Sequence, residues 1–235
     1  MEHCVKMLSD PEDFLSFLPA KTRHIALVGG GGKTTLLYAL GCAFSKQGLR
    51  VLLYTTTHIL RPERFCHTSA ECLAFWHSGS PALIGVETDG GKLKIPPECE
   101  LSAALSACDI AIAEADGAKQ MPIKVPAAHE PVIPVLADTV IAVAGLTALG
   151  RPLGEVCFRW ELLSLPDEMQ VNEALLTEIL SSERFAAKSV CGRKYLVVLN
   201  QADAGFPDRC EAGRRIATAL WSSGIPAALC SLAPA

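Results

Sequence analysis

Apolar residues recur along this chain in two rhythms. Apolar stretches at 25–28, 51–55, 110–114, 140–145, 195–200 and 227–230, three of them ending in Thr55, Glu114 and Asn200, are each bounded by glycine, proline or polar residues. They read as short strands buried on both faces. Segments with helical spacing lie between them, at 10–18, 33–47, 98–107, 172–181 and 208–223, with a shorter helix over 69–76. Ser9 or Asp10 caps the first helix and Pro11 sits in its first turn, while Gly48 closes the second. Residues 82–88 and 92–95 flank Asp89-Gly90-Gly91 and predict a small hairpin. The stretch 61–80 is polar and carries His and Cys, and Pro122, Pro126, Pro131 and Pro134 punctuate a long loop. This alternation predicts an α/β fold, mostly a parallel sheet with helices on both faces. The chain reads as a single domain over 1–235, with a small helical insert around 151–193.

The strand at 25–28 runs directly into Gly29, Gly30, Gly31 and Gly32, and Lys33-Thr34-Thr35 open the following helix. Each residue type suits a polyphosphate. Glycines admit positive φ and close approach of backbone N–H groups to phosphate oxygens. The helix start adds unpaired donors and the positive end of its dipole. Lys33 neutralises terminal phosphates and the Thr34 hydroxyl reaches a bound Mg²⁺. The common phosphate loop has its first glycine five residues before the last, where this chain has Leu27. The result is a shorter loop, similar to that of Mur-type ligases. A Gly-rich turn that binds nothing is the bland alternative.

Three more constellations end predicted strands, where ligands of open α/β sheets bind. Thr55-Thr56-Thr57-His58 could offer hydroxyls to Mg²⁺ or phosphate and place His58 over a reacting group, or could be a strand end and a loop histidine. Asp109-Ile-Ala-Ile-Ala-Glu-Ala-Asp-Gly-Ala-Lys119 has the form of a Walker B strand. Its Glu114 and Asp116, two residues apart, supply the carboxylates that a hard Mg²⁺ requires; a plain Asp-Gly turn is the alternative at Asp116. Tyr195-Leu-Val-Val-Leu-Asn-Gln-Ala-Asp203 ends in the Asn-x-x-Asp spacing with which GTPases read guanine, but Gln201 stands where those proteins carry Lys. Asn200 and Asp203 are therefore candidates to read the base of ATP or GTP, against a polar turn.

The proline-rich loop holds Lys119, Lys124, His129 and Glu130 just past the proposed metal carboxylates. It could form an anionic-substrate pocket, with lysines on an oxyanion and His129 or Glu130 as acid or base, or a partner-docking surface, or a rigid connection. Lys33, Asp116, His58, Lys119 and His129 are the candidate catalytic residues, and Thr34, Glu114 and Asp116 the candidate Mg²⁺ ligands.

Composition narrows the class. A formal charge of −4 provides no basic field and argues against nucleic acid as the main partner. The run at 140–146 is interrupted by Gly145, far short of a membrane span, and Asp10, Glu12 and Asp13 do not fit a signal peptide. The expected location is cytoplasmic. The ten cysteines include no C-x-x-C pair and read as reduced core and surface thiols, with Cys66, His67 and Cys72 as an alternative metal cluster of non-standard spacing.

Taken in order, Val28-Gly-Gly-Gly-Gly-Lys-Thr-Thr35, Thr55-Thr-Thr-His58, Glu114-Ala-Asp-Gly-Ala-Lys119, Pro122-x-Lys124, His129-Glu-Pro-Val-Ile-Pro134, Arg159 and Asn200-x-x-Asp203 span nearly the whole chain. The set resembles the selenium-dependent hydroxylase accessory protein family of YqeC type. The resemblance implies a P-loop NTPase of the SIMIBI-like kind, using Mg²⁺ and ATP or GTP. It also implies a role in maturing selenium-dependent molybdenum hydroxylases, with the hydroxylase or its cofactor precursor as partner. An enzyme that activates a small anionic precursor and a nucleotide-switched chaperone are the two expectations.

Overall fold

The computed structural model describes residues 5–190, 192–203 and 206–232. A strand β1 (Met7–Leu8) and helix α1 (Pro11–Phe17) lead into β2 (His24–Gly29), α2 (Lys33–Lys46) and β3 (Val51–Thr55). Next come β4 (His58–Leu60), α3 (Ser69–His77), β5 (Ala82–Leu83), β6 (Val86–Thr88) and β7 (Lys92–Lys94). Helix α4 (Glu98–Ala107) precedes β8 (Ile110–Glu114), and the proline-rich segment contains β9 (Ile123–Lys124) before β10 (Thr139–Gly145). The remainder is α5 (Leu153–Val156), β11 (Cys157–Phe158), α6 (Glu173–Ser181), β12 (Lys194–Asn200), α7 (Pro207–Ser222) and β13 (Ala227–Cys230).

Eight strands form one parallel sheet in the order β1-β13-β12-β10-β2-β8-β3-β5. Strand alternation sorts the core into two layers. Ile25 and Leu27 of β2, Ile112 of β8 and Leu53 of β3 face α1 and α2, packing on Phe14, Leu36, Leu37 and Leu40. Their neighbours Ala26 and Val28 share the opposite face with Val140, Ala142 and Val197, which meet Leu176 and Ile179 of α6 and Ile216 and Leu220 of α7. Further along that face, Leu52, Tyr54, Ala111 and Ala113 meet Cys72 of α3 and Ala104 of α4. This mixed α/β sheet with helices on both faces is the expected class and is consistent with a P-loop NTPase-like fold.

The 151–193 region adds Leu153, Val156, Leu176, Ile179 and Leu180 to the layer shared with α7. The local signals also hold at the helix starts. Asp13 accepts from the N–H groups of Ser9 and Asp10 at 2.8 and 3.1 Å, and Pro11 opens α1. Asn172 caps α6 by accepting from Leu175 N–H at 2.9 Å.

Several short elements differ from expectation, among them β4, β9 and β11, where the sequence pattern predicts no strand. Residues 82–83 do not belong to the hairpin; they join the large sheet beside β3, because Ala82 and Leu83 are wholly apolar and bury against Leu52 and Leu53. Only β6 pairs with β7, and β7 also pairs with β4, giving a small antiparallel sheet. Strand β1 is too short to show periodicity and forms by pairing with β13. Among the described residues, no helix is long and apolar enough to cross a membrane.

Leu37 is fully buried between α2 and the sheet. Leu37→Ala is expected to cost about 2–5 kcal/mol of stability, read from the urea midpoint with an unchanged slope.

Candidate functional site

The strand order creates the site. From β2 the chain moves out to β3, returns to β8, then crosses to β10 on the other side of β2. Connections leaving β2 and β10 therefore run to opposite sides, and the carboxyl ends of these two strands form the switch point at which ligands of open α/β sheets bind. The Gly loop occupies it.

Close packing, more than turn geometry, requires glycine here. Gly31 adopts φ +68°, and a β-carbon there would lie 2.2 Å from the backbone nitrogen of Gly145 at the end of β10. Gly32 adopts φ +115°, and its β-carbon would meet Asn200 Nδ2 at 2.4 Å. Three loop N–H groups are engaged internally: Gly29 donates to Asp116 Oδ2 at 3.0 Å, Gly30 to Val143 O at 2.8 Å and Gly31 to Met121 O at 3.0 Å. Intrahelical bonding begins only with Leu36 N–H to Gly32 O at 3.0 Å. The donors at the mouth of α2 are thus those of Gly32, Lys33, Thr34 and Thr35, which no intrahelical carbonyl reaches. The loop glycines shape the cradle, and the first helical turn supplies its free donors.

Directly below, Lys33 is buried and its Nζ donates to Gly29 O at 2.6 Å. The same ammonium lies 3.1 Å from Asp116 Oδ1 and 3.9 Å from Glu114 Oε1. Thr34 Oγ1 donates to Glu114 Oε2 at 2.7 Å. Asp116 Oδ1 is buried and accepts no hydrogen bond. Lys33, Thr34, Glu114 and Asp116 are therefore brought together by β2, α2 and the adjacent strand β8.

A line of alternating charge continues from Asp116. Lys124 Nζ, wholly buried, lies 3.4 Å from Asp116 Oδ2 and 2.9 Å from Glu130 Oε2, and donates to Gly117 O at 2.7 Å. Arg159 closes the line by pairing with Glu130. The proline-rich segment is held at its base by Gly145 N–H on Pro122 O at 2.8 Å. Further along, Thr56 Oγ1 donates to Val132 O at 2.9 Å and Lys188 Nζ to Ala127 O and Ala128 O at 2.8 and 2.7 Å.

Other candidates lie apart from this cluster or are engaged elsewhere. His58 is exposed at the start of β4, and His129 is exposed at the loop surface. The Thr55 hydroxyl donates to Glu114 O at 3.1 Å. Asn200 is buried; its Nδ2 donates to Gly31 O at 2.9 Å, and its Oδ1 accepts from Leu232 N–H at 3.0 Å and the Cys230 thiol at 3.3 Å. One Nδ2 hydrogen remains uncommitted. Asp203, half-exposed, accepts from Ser231 and pairs with Arg209 at 3.5 Å. Gln201 accepts from Thr147 Oγ1 at 2.5 Å and packs against Gly145. Cys66 and Cys72 are buried in the core, where the Cys72 thiol donates to Thr68 O at 3.6 Å, while His67 is exposed. Cys4 and Cys191 lie outside the described residues.

The model of the YqeC protein family matches residues 25–161. The chain belongs to the YqeC family. It is 32% identical over 176 residues to the "Uncharacterized protein YqeC" of Escherichia coli (strain K12), a match covering 66% of this chain and 66% of the relative's length. The aligned part thus spans just under two thirds of that protein. The YqeC match contains the Gly loop, β8 and the whole charge line to Arg159, whereas Asn200 and Asp203 fall beyond it.

Burial pushes the Glu114 carboxyl above its ordinary value of 4.5, against the opposing pull of the Lys33 charge and the Thr34 hydroxyl. Burial likewise pushes the Lys124 ammonium down to about 8; Asp116 opposes this, while Lys33 and Arg159 add to it. The two groups act oppositely on stability. For Glu114 the native state holds its proton longer than the unfolded chain, so its contribution is full below about pH 4.5 and is lost as pH rises through the native pKa. For Lys124 the cost of burying charge is full below about pH 8 and is relieved as pH rises from there toward 10.5. Glu114→Gln keeps an acceptor for Thr34 and removes the first effect. In thermal melts without nucleotide, the variant is expected to gain on the wild type as pH rises from 4 to 7; a constant difference would show that Glu114 does not titrate in this window.

Proposed function

We propose that this protein is a Mg²⁺-dependent P-loop NTPase that assists maturation of selenium-dependent molybdenum hydroxylases, using nucleotide to activate a small anionic cofactor precursor. The observation that carries the nucleotide reading is the convergence of Lys33, Thr34, Glu114 and Asp116 beneath the free donors of Gly32 to Thr35. An ammonium, a hydroxyl and two carboxylates at a helix N-terminus suit a metal-bound polyphosphate. The donor set fits Mg²⁺: all three ligating candidates are oxygens, and the buried Asp116 Oδ1 faces the Lys33 ammonium at 3.1 Å with no well-aligned hydrogen bond to hold it. Mg²⁺ held there supplies charge neutralisation on the phosphates.

The chain's own residues account for the rest of this reading. Lys33 leaves Gly29 O and Asp116 to contact the phosphates, and Asp116 retains Lys124 as counter-ion. Thr34 and Glu114, hydrogen-bonded directly to one another at 2.7 Å, would exchange that bond for the metal. Asn200 and Asp203 would read the base; their existing partners leave less of each side chain for that task than their spacing alone implies. The hydroxylase and its precursor enter through family resemblance.

A second reading is a nucleotide-switched chaperone that drives cofactor insertion. What favours it is the exposed apolar face of the proline-rich loop, where Val132, Val135 and Leu136 all lie in solvent. Turnover stimulated by a small molecule supports the enzyme, and turnover stimulated only by apo-hydroxylase supports the chaperone.

Lys33→Ala is expected to abolish Mg²⁺-nucleotide binding in calorimetric titrations with ATP and GTP. It also removes the cation beside the buried Glu114 and leaves Asp116 with Lys124 alone, so a stability loss of about 3–5 kcal/mol is expected with the circular dichroism spectrum retained. Unchanged affinity would remove the phosphate-loop reading. Asp116→Ala is expected to reduce hydrolysis far more than nucleotide affinity, because its carboxylate serves the metal as charge develops on the phosphates. Wild-type turnover in that variant would remove Asp116 from the metal site.

A further inference from the structure

The proline-rich segment brings three cations to one aromatic ring. The Phe158 ring has the Arg159 guanidinium 4.7 Å from its centroid, Lys119 Nζ at 5.1 Å and Lys124 Nζ at 5.7 Å. The arrangement is built by the short β9–β11 ribbon, in which Lys124 is the direct partner of Phe158. Val125 N–H then donates to Phe158 O at 3.0 Å. The ribbon is tied to the Gly loop through Gly31 N–H on Met121 O and Gly145 N–H on Pro122 O, so the cation cluster adjoins the proposed phosphate cradle.

The charges around the ring do not balance locally. Glu130 serves both Lys124 and Arg159, and Asp116 is shared between Lys124 and Lys33. Lys119 is exposed and, among the described residues, pairs with no carboxylate. Arg159 is partly exposed and has five N–H donors, most of which remain after its pairing with Glu130. Backbone conformation points the same way: Lys119, Gln120 and Arg159 all sit at positive φ, +48°, +63° and +64°. Non-glycine residues hold such angles only where the surroundings impose them, and such strain gathers at ligand clamps.

We propose that Lys119 and Arg159, set on Phe158, form a second anion subsite that takes the phosphate-like oxyanion of the acceptor substrate. The assignment rests on the nucleotide-loop reading for its role, since it places the acceptor beside the terminal phosphate. It divides the labour of the loop. Lys124 and Glu130 are internal supports, spent on one another and on Asp116. Lys119 and Arg159 are the cations open to solvent, and Arg159 offers the planar fork that matches an oxyanion.

Inorganic phosphate titrated calorimetrically into wild type, Lys119→Gln, Arg159→Lys and Lys33→Ala tests the subsite, with circular dichroism as the folding control. Losing one charge-assisted contact should weaken phosphate about tenfold or more in Lys119→Gln. Arg159→Lys keeps the charge without the fork and should weaken it less. Lys33→Ala should retain a phosphate isotherm, with Thr34→Val standing in if that variant does not fold. An unchanged Kd in Lys119→Gln overturns the subsite, as does loss of all phosphate binding in the loop variant. Mg·ATP titrated into wild type judges the loop separately: its failure, with phosphate binding still dependent on Lys119, would refute the nucleotide reading and leave the subsite standing.

Discussion

The burial of one ammonium group organises this site. Lys33 sits within the body of the protein, and a charge there is tolerated only with partners close by. Gly29 O, Asp116 and Glu114 are those partners, each delivered by a strand end. The requirement runs outward. Asp116 needs a second cation and has Lys124; Lys124 needs a second anion and has Glu130; Glu130 is completed by Arg159 at the surface. The proline-rich segment is thereby bonded electrostatically to the loop at the head of α2.

Such a line of charges contributes little net stability compared with an apolar core of the same shape. Its consequence is connection: Asp116 is shared by Lys33 and Lys124, and Glu130 by Lys124 and Arg159, so the Gly loop and the proline-rich segment are joined through side chains as well as through backbone contacts from Met121 to Val132. Glycine at 31 and 32 is part of the same constraint, because the loop must lie directly against Gly145 and Asn200 for Gly31 to donate to Met121 O and accept from Asn200 Nδ2.

The architecture places this line where it can matter. Strand order reverses between β2 and β10, so the Gly loop and the segment after β8 meet at the one edge from which neighbouring connections diverge. A concavity of about 400 Å³, lined by Phe17, Leu196 and Trp221, opens at the other end of β12 and β13 and holds none of these charges.

The residues of the cradle were legible in the sequence because their signals are local. A glycine run before Lys-Thr-Thr marks a strand-to-helix turn, and Glu114 and Asp116 at alternate positions fall on one side of a strand end. Buried strands were legible for the same reason, as apolar stretches. Tertiary structure alone decided the rest. Glu130 meets Arg159 across 29 positions, and no periodicity encodes that pairing. Nor does local pattern tell which loop lysine is buried: Lys124 is drawn inside by Asp116 and Glu130, while Lys119 remains in solvent on Phe158. Asn200 had the spacing of a base reader, yet packing commits most of its amide to Gly31 and the end of β13. Residues 82–83 read as one arm of a hairpin, and burial beside β3 carried them into the large sheet. Short-range sequence determines which groups can do chemistry; long-range burial determines which are spent on one another and which remain free to bind.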